Sequence, residues 1–476
     1  MKNLHFFVGT VLLIAVALEC YMIGSKEVDI LFCYLTDSIP LYFHVDALGR
    51  MFIVVTSVIW LIIGFYAFLY MKHEGEEKRF FGFFLLAYAV LLALESSGNL
   101  VTFYFFYELM TLTSMPLVLH NGAKESIMAA LKYLFYSMCG AYCALFGIYF
   151  LYQYCDTLTF TAGGTLNMTL VSGNVGILQI AIFLMLIGFG AKAGMFPLHA
   201  WLPAAHPVAP APASAALSAI VVKGGVLALI RGVYYVIGAD FIRGTWVQRA
   251  FMTLTLLTVF MGSMLAYREK VFKKRLAYST VSQLSYILFG LSLLTPVGAT
   301  GALLHIVFHA FIKCALFLTA GIFIFRTGKT KVSEYDGIGK QMNVTLWCYT
   351  FAALALIGVP PMCGFTSKWY LAEGALQSDL GIFRILGPVV LLVSALLTAG
   401  YLLPITTRGF LPGADRMANG SGMAPTGCVT EGKREKEKID MMVAALLALT
   451  VIMIVIGIFP DPLVQYAGEI AESMFP

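Results

Sequence analysis

Apolar runs about 20 residues long recur almost from end to end in this chain, and each matches the length one helix needs to cross a hydrocarbon layer. They fall near residues 5–24, 47–71, 80–97, 99–119, 127–151, 176–196, 211–236, 248–266, 271–294, 298–325, 344–369, 383–407 and 439–460. The expected fold is therefore an all-α polytopic membrane protein of about 13 crossings. Composition agrees: at 476 residues, 60% hydrophobic and 12% charged, with a mean hydropathy of +0.85, the chain has too little polar surface for a soluble domain. The first run, His5 to Gly24, lacks a small-residue cleavage site and reads as a retained helix.

Loop charges set an expected orientation. Loops after even-numbered runs hold Lys72, Lys78 and Arg79; Lys124; Arg268, Lys270, Lys273, Lys274 and Arg275; Arg326, Lys329, Lys331 and Lys340; then Arg408, Arg416, Lys433, Arg434, Lys436 and Lys438. Loops after odd-numbered runs hold only Lys26, Arg243, Arg249 and Arg384. The positive-inside rule then puts the N-terminus in the cytoplasm and the C-terminus outside, in a prokaryotic cytoplasmic membrane. The net charge of +5 reports this topology and gives no support for nucleic acid. Nine cysteines without a CxxC read as packing residues, so no metal or cofactor site is expected in this chain. The polar stretch from Leu411 to Ile439, with its GKREKEK run, reads as a cytoplasmic loop, either a solvated linker or a partner contact. With no Gly-rich phosphate loop and no Ser/His/Asp arrangement, hydrolysis has no support.

The ionisable residues inside the apolar runs carry the functional signal. Between Gly188 and Arg231, GFGAKAGMFPLHAWLPAAHPVAPAPASAALSAIVVKGGVLALIR takes a helix to Lys192, breaks it at Phe196-Pro197, passes His199 and His206, and resumes a helix bearing Lys223. A lysine at mid-membrane costs roughly 2.5–3.5 kcal/mol, so lysines beside broken backbone line a protein-enclosed or hydrated path. The second half repeats the device in IGVPPMCGFTSKWYLAEGAL, where Pro360-Pro361 and Gly364 precede Lys368. Paired interrupted helices point to inverted repeats with the site at the breaks, against the plainer alternative of a kink for packing. Glu108 lies mid-run with Lys192 as the expected partner, either in proton transfer or in a structural ion pair. His305, His309 and Lys313 recur every four residues and so share one helix face, which suits a proton relay. Ser279, Ser282 and Gln283 are candidates to hold bridging water, and Lys132 to face the first half of the route. Glu95 and Glu373 lie near helix ends and are expected to snorkel.

These motifs, with KRLAYSTVSQLSYILFG and HIVFHAFIKCALF, resemble the signature of the antiporter-like membrane subunits shared by respiratory complex I, the Mrp cation/proton antiporters and the membrane-bound [NiFe] hydrogenases, over roughly Asn99 to Arg408. The resemblance implies two inverted five-helix repeats, each a half-channel, joined by charged residues along the membrane midplane. The implied division is N-terminal helices at 1–78, repeats at 79–238 and 239–408, a loop at 409–438 and a last helix at 439–476. It implies Glu108 ion-paired with Lys192, Lys223 leading toward the centre, His305 and His309 as central relay with Lys313 beside them, and Lys368 as the terminal residue. Two departures are one helix fewer before the repeats and no long lateral helix, so the chain should resemble the shorter members. The SKWYL form at Lys368 is similar to the Mrp and hydrogenase branches.

The function expected is a proton-translocating subunit of a redox-driven complex, complex I-like or a membrane-bound hydrogenase, with other membrane subunits, a peripheral electron-transfer module and lipids as partners. Burial favours a neutral amine and an adjacent carboxylate a charged one, so separating such a pair releases a proton onward. The first rival is a subunit of a Mrp-type Na⁺/H⁺ antiporter without a redox partner. The second is a structural scaffold with vestigial channels.

Overall fold

The computed structural model describes residues 2–24, 28–36, 39–412 and 437–475. Helices stand on almost every apolar run: α1 Lys2–Gly24, α2 Ala47–Glu74, α3 Glu77–Glu95, α4 Leu100–Val118, α5 Lys124–Tyr154, α6 Val175–Lys192, α7 Leu202–Val208 and α8 Ala211–Ile237. Beyond these come α9 Trp246–Arg268, α10 Phe272–Ser292, α11 Pro296–Thr327, α12 Asn343–Ile357, α13 Cys363–Leu376, α14 Phe383–Phe410, α15 Met441–Ile458 and α16 Asp461–Ser473. Among the described residues, eight helices are long and apolar enough to cross a membrane. Side-chain caps mark several starts: Asp46 accepts from the Gly49 amide at 2.8 Å, Asn99 from Thr102 at 2.7 Å and Asp440 from Met442 at 3.0 Å.

The apolar run near 344–369 resolves into two helices, α12 and α13, because Gly358 takes a left-handed backbone (φ 89°) that ends the first. The same device operates earlier, where α6 stops at Lys192 and Gly194 (φ 73°) leads into the irregular segment before α7. Two features have no counterpart in the apolar runs. An antiparallel hairpin, β1 Asp29–Thr36 with β2 Ile39–His44, lies on the bundle end where α4 begins, its Tyr42 amide donating to Thr102 Oγ1 at 3.0 Å. Helix α16 follows α15 and reaches back to the start of α2, with Tyr466 donating to the Ala47 carbonyl at 2.9 Å.

Helices α8 and α11 are enclosed by the rest of the bundle over their whole apolar windows, so groups on them are kept from lipid. Close approach of backbones makes that enclosure. A Cβ on Gly140 of α5 would sit 2.6 Å from the Gly188 carbonyl of α6, and one on Gly225 of α8 would sit 2.8 Å from the Ala193 amide and 2.9 Å from Lys192 Cβ. Only hydrogen fits at these contacts.

One end of the bundle gathers most of the basic loops. His5 and Glu77 are 2.6 Å apart, the Arg79 guanidinium donates to the His120 carbonyl, and the His73 and Phe325 rings lie 5.0 Å apart. Arg326 there pairs with Glu437 at 2.8 Å and Asp440 at 2.9 Å, and Glu437 also accepts from the Val344 amide at the start of α12. The opposite end holds Arg243, over the Phe475 ring at 5.9 Å. Two residues counted as loop charges are buried at the start of α10: Lys273 donates to the Ala209 carbonyl at 2.8 Å, and Arg275 to Tyr401 at 2.8 Å. Lys273 thereby caps the end of α7, and Arg275, which also donates to the Glu269 carbonyl at 2.6 and 2.9 Å, caps the end of α9. Most of the Leu411–Ile439 stretch, with Arg416, Lys433, Arg434 and Lys436, lies outside the described residues, as does Lys26.

Candidate functional site

The site follows from where the two breaks put their lysines. Lys192, the last residue of α6, has no exposed surface. An ammonium carries three donors, and three hydroxyls meet them: Thr111 Oγ1 at 2.5 Å, Tyr133 OH at 3.0 Å and Ser137 Oγ at 3.4 Å. Tyr133 also lies 2.7 Å from Ser114 Oγ and packs at a tilt against Trp201 (ring centroids 4.5 Å apart), whose indole donates to the Ala191 carbonyl at 2.9 Å. The Trp201 of the broken segment thus holds both the helix end and the tyrosine that holds the lysine.

Glu108 does not touch Lys192. It is partly buried, accepts from the Tyr104 hydroxyl at 2.9 Å, and forms no ion pair among the described residues. Glu108 and Thr111 are three residues apart on α4 and so share a face. A hydroxyl therefore stands where the resemblance implied a direct pair, because three hydroxyls already fill the amine's donors.

Lys223 sits directly after a wide, π-type turn over Leu217–Val221 of α8, and a second such turn covers Arg231–Ile237. Its amine donates to the Ala219 carbonyl and lies 3.1 Å from His309 Nδ1. The His309 and His305 ring centroids are 6.0 Å apart on α11. His305 continues outward on both nitrogens, 2.9 Å from Ser367 Oγ and 3.1 Å from Gln283 Oε1. Ser367 is the neighbour of Lys368, which donates to the Leu356 and Ile357 carbonyls at 2.6 and 2.9 Å and lies 5.2 Å from the Tyr286 ring centroid. Lys368 thereby caps the carbonyls that the second break leaves open. From Lys223 to Ser367 the groups are buried, and Lys368 is partly so. Two polar atoms in this stretch have no hydrogen-bond partner among the described residues: His309 Nε2 and Gln283 Nε2.

The other candidates divide. Lys313 is buried one turn beyond His309 and binds Ser279 Oγ and the Leu276 carbonyl, the latter at 3.1 Å, so Ser279 serves an amine. Ser282 instead forms a cluster with Ser263 at 2.8 Å and Ser394 at 3.3 Å, tying α10 to α9 and α14 away from the lysines. His206 is buried against Phe317, ring centroids 4.6 Å apart, with neither nitrogen bonded among the described residues. His199 is partly buried and near Phe196, and Lys132 lines an open groove with Glu125 and Ala204. No hydrogen bond joins Lys192 to Lys223 among the described residues, although Gly225 brings α8 against Lys192 Cβ. Glu373 stays at its helix end, bonded to Gln377 at 3.0 Å. Glu95 does not snorkel: it is 3% exposed and accepts from Thr56 at 2.6 Å, because the turn after α3 is covered by the start of α2.

Sequence reasoning missed the hydroxyl nest of Thr111, Tyr133 and Ser137, although Tyr133 and Ser137 stand one turn apart on α5. It also missed the clasp between Arg231 and Asp46, whose oxygens lie 2.6 and 2.7 Å from the guanidinium, with Phe160 and Tyr235 rings on its faces at 4.8 and 4.7 Å. Burial works to raise the Asp46 pKa, but Arg231 and the Gly49 amide outweigh it and hold the carboxyl below its usual range.

Residues 97–398 match the family described as NADH:quinone oxidoreductase/Mrp antiporter, TM. The chain belongs to this family of antiporter-like membrane subunits. Residues 35–81 also match the description NADH-Ubiquinone oxidoreductase (complex I), chain 5 N-terminus. The family member is 34% identical over 432 residues to NADH-quinone oxidoreductase subunit N of Desulforudis audaxviator, covering 89% of this chain and 84% of that one. It is 30% identical over 374 residues to a Na⁺/H⁺ antiporter subunit of Bacillus subtilis, covering 77% and 72%. A chain in the Mrp complex from Dietzia sp. superposes with a TM-score of 0.83 at 24% identity, over 100% of this chain and 92% of that one, a likeness of fold. The Lys192 and Lys368 breaks and the whole of α11 lie within the matched span.

Proposed function

We propose that this antiporter-like subunit conducts protons across a prokaryotic cytoplasmic membrane along the row Glu108, Lys192, Lys223, His309, His305 and Lys368, driven by an electron-transfer module in a partner subunit. The observation that carries the reading is the enclosed sequence Lys223–His309–His305–Ser367, ending beside Lys368. Amine and imidazole nitrogens in contact pass a proton by exchanging donor and acceptor roles, and a histidine does so near neutral pH. The unpartnered His309 Nε2 and Gln283 Nε2 are sites where water completes the file. Lys313, on the same face, is read as a side store that stays with Ser279. The breaks supply the flexible backbone such a switch needs. In this reading residues 79–238 and 239–408 are the two half-channels of a 13-crossing chain.

The test is redox-driven proton uptake in inverted vesicles carrying the intact complex. Lys192→Ala and Glu108→Ala abolish uptake while the complex still assembles, and unchanged uptake in either variant refutes the assignment.

A second reading rests on the Bacillus subtilis relative: a Na⁺/H⁺ antiporter assembled from membrane subunits alone. Purification of the native complex separates the two. Hydrogenase or quinone-reductase subunits support the first, and a set of membrane subunits only supports the second.

A further inference from the structure

His206 is the buried imidazole that the row leaves unused. It has no exposed surface, and neither ring nitrogen has a hydrogen-bond partner among the described residues. A charged imidazole carries two N–H donors, and a neutral one carries a donor and an acceptor. Neither form is satisfied by the side chains around it, so both nitrogens need water.

The surroundings give that water a direction. His206 lies near the end of α7, where the Ser214 hydroxyl of α8 donates to its carbonyl at 3.0 Å and fixes the backbone. The ring stacks on Phe317 of α11, centroids 4.6 Å apart. Phe317 stands one turn from Lys313 on the same face, toward the end of α11 that carries Arg326 and the other basic loops. Helix α10 ties both sides of this place together. Lys273, at its start, binds the Ala209 carbonyl three residues after His206, and the Leu276 carbonyl and Ser279 hydroxyl hold Lys313. The charges of Lys313 and Lys273 both reach the imidazole. Lys273 keeps a little exposed surface and Lys313 has none, so the order inward is Lys273, His206, Lys313 and then His309 one turn on. We infer that His206 relays protons from the basic end of the bundle to Lys313 and is the entry to the row. A proton taken from water on one ring nitrogen is matched by release of the proton on the other, through water, to the neutral Lys313 amine. The imidazole is then neutral again with its nitrogens exchanged.

The inference rests on the proposed proton row, and the vesicle assay of redox-driven uptake separates the two. His206→Phe keeps a ring against Phe317 without nitrogens, and it slows uptake at least about tenfold while the complex still assembles. His206→Gln, which can hold water but does not titrate, slows uptake in the same direction. Uptake at the parent rate in either variant overturns the relay. If Lys192→Ala abolishes uptake in the same assay, that result removes His206 alone, whereas parent-rate uptake in Lys192→Ala removes the row. A second readout needs no turnover: water-edited solid-state NMR of the full chain, labelled in its histidines and held in liposomes. The imidazole signal that disappears in both His206→Phe and His206→Gln receives magnetisation from water in the parent chain. A His206 signal that receives none overturns the relay, even where a variant chain fails to assemble into its complex.

Discussion

Lys192 shows what one residue demands of its surroundings. An ammonium with no exposed surface needs acceptors for three donors, and Thr111, Tyr133 and Ser137 supply them from two helices. Hydrogen bonds to a charged group contribute about 1.5–3 kcal/mol each. Tyr133→Phe removes one acceptor with little change in volume, and roughly a tenfold slower proton uptake is expected in vesicles, with assembly unchanged. Tyr133→Ser would leave a cavity and so test packing as well as hydrogen bonding. The lysines and histidines were legible in the sequence because each stands in an apolar run where an ionisable group has to be enclosed. Their hydroxyl partners were not legible, since a serine or threonine inside a helix can bond its own preceding turn and so gives no sign of a partner elsewhere. Glu95 was misjudged for a related reason: a carboxylate near a helix end can reach water only if nothing covers that end, and α2 covers it.

At the scale of elements, the row depends on how closely α8 approaches α6. Gly225→Ala puts a methyl against the Phe189 carbonyl at 2.7 Å and the Ala193 amide at 2.8 Å, all backbone that cannot step aside. A loss of about 1–3 kcal/mol is expected, read as a lower melting temperature of the purified chain. The far part of α8 is held by the Asp46–Arg231 clasp. Asp46→Asn leaves a buried guanidinium without its charge partner and costs about 3 kcal/mol in the same melt. The sign with pH follows from the depressed Asp46 pKa: the clasp contributes in full above the ordinary carboxylate range and is lost as pH falls through the folded value. Acid should therefore lower the melting temperature of the parent chain more than that of Asp46→Asn. Helix positions were legible from apolar runs alone, but the split of residues 344–369 at Gly358 depended on a left-handed backbone that hydropathy does not register.

For the whole molecule, the placement of loops yields a test of orientation. Residues 73–79, 120 and 326 gather at one end of the bundle and Arg243 at the other. With the basic end in the cytoplasm and the exposed Cys33 replaced by serine, an impermeant thiol reagent applied to intact cells should label Arg243→Cys and spare Lys124→Cys, with the pattern reversed in inverted vesicles. The sequence by itself determined that the chain is a bundle of membrane helices with amines, imidazoles and carboxylates shut inside, because the cost of exposing peptide groups or ions to hydrocarbon is written into each local stretch. Only the tertiary structure decided what each shut-in group meets: hydroxyls rather than Glu108 for Lys192, His309 for Lys223, open carbonyls for Lys368 and the Thr56 hydroxyl for Glu95. Such pairings join residues up to 86 positions apart, and they depend on which helix faces come together, a property that no single stretch of chain contains.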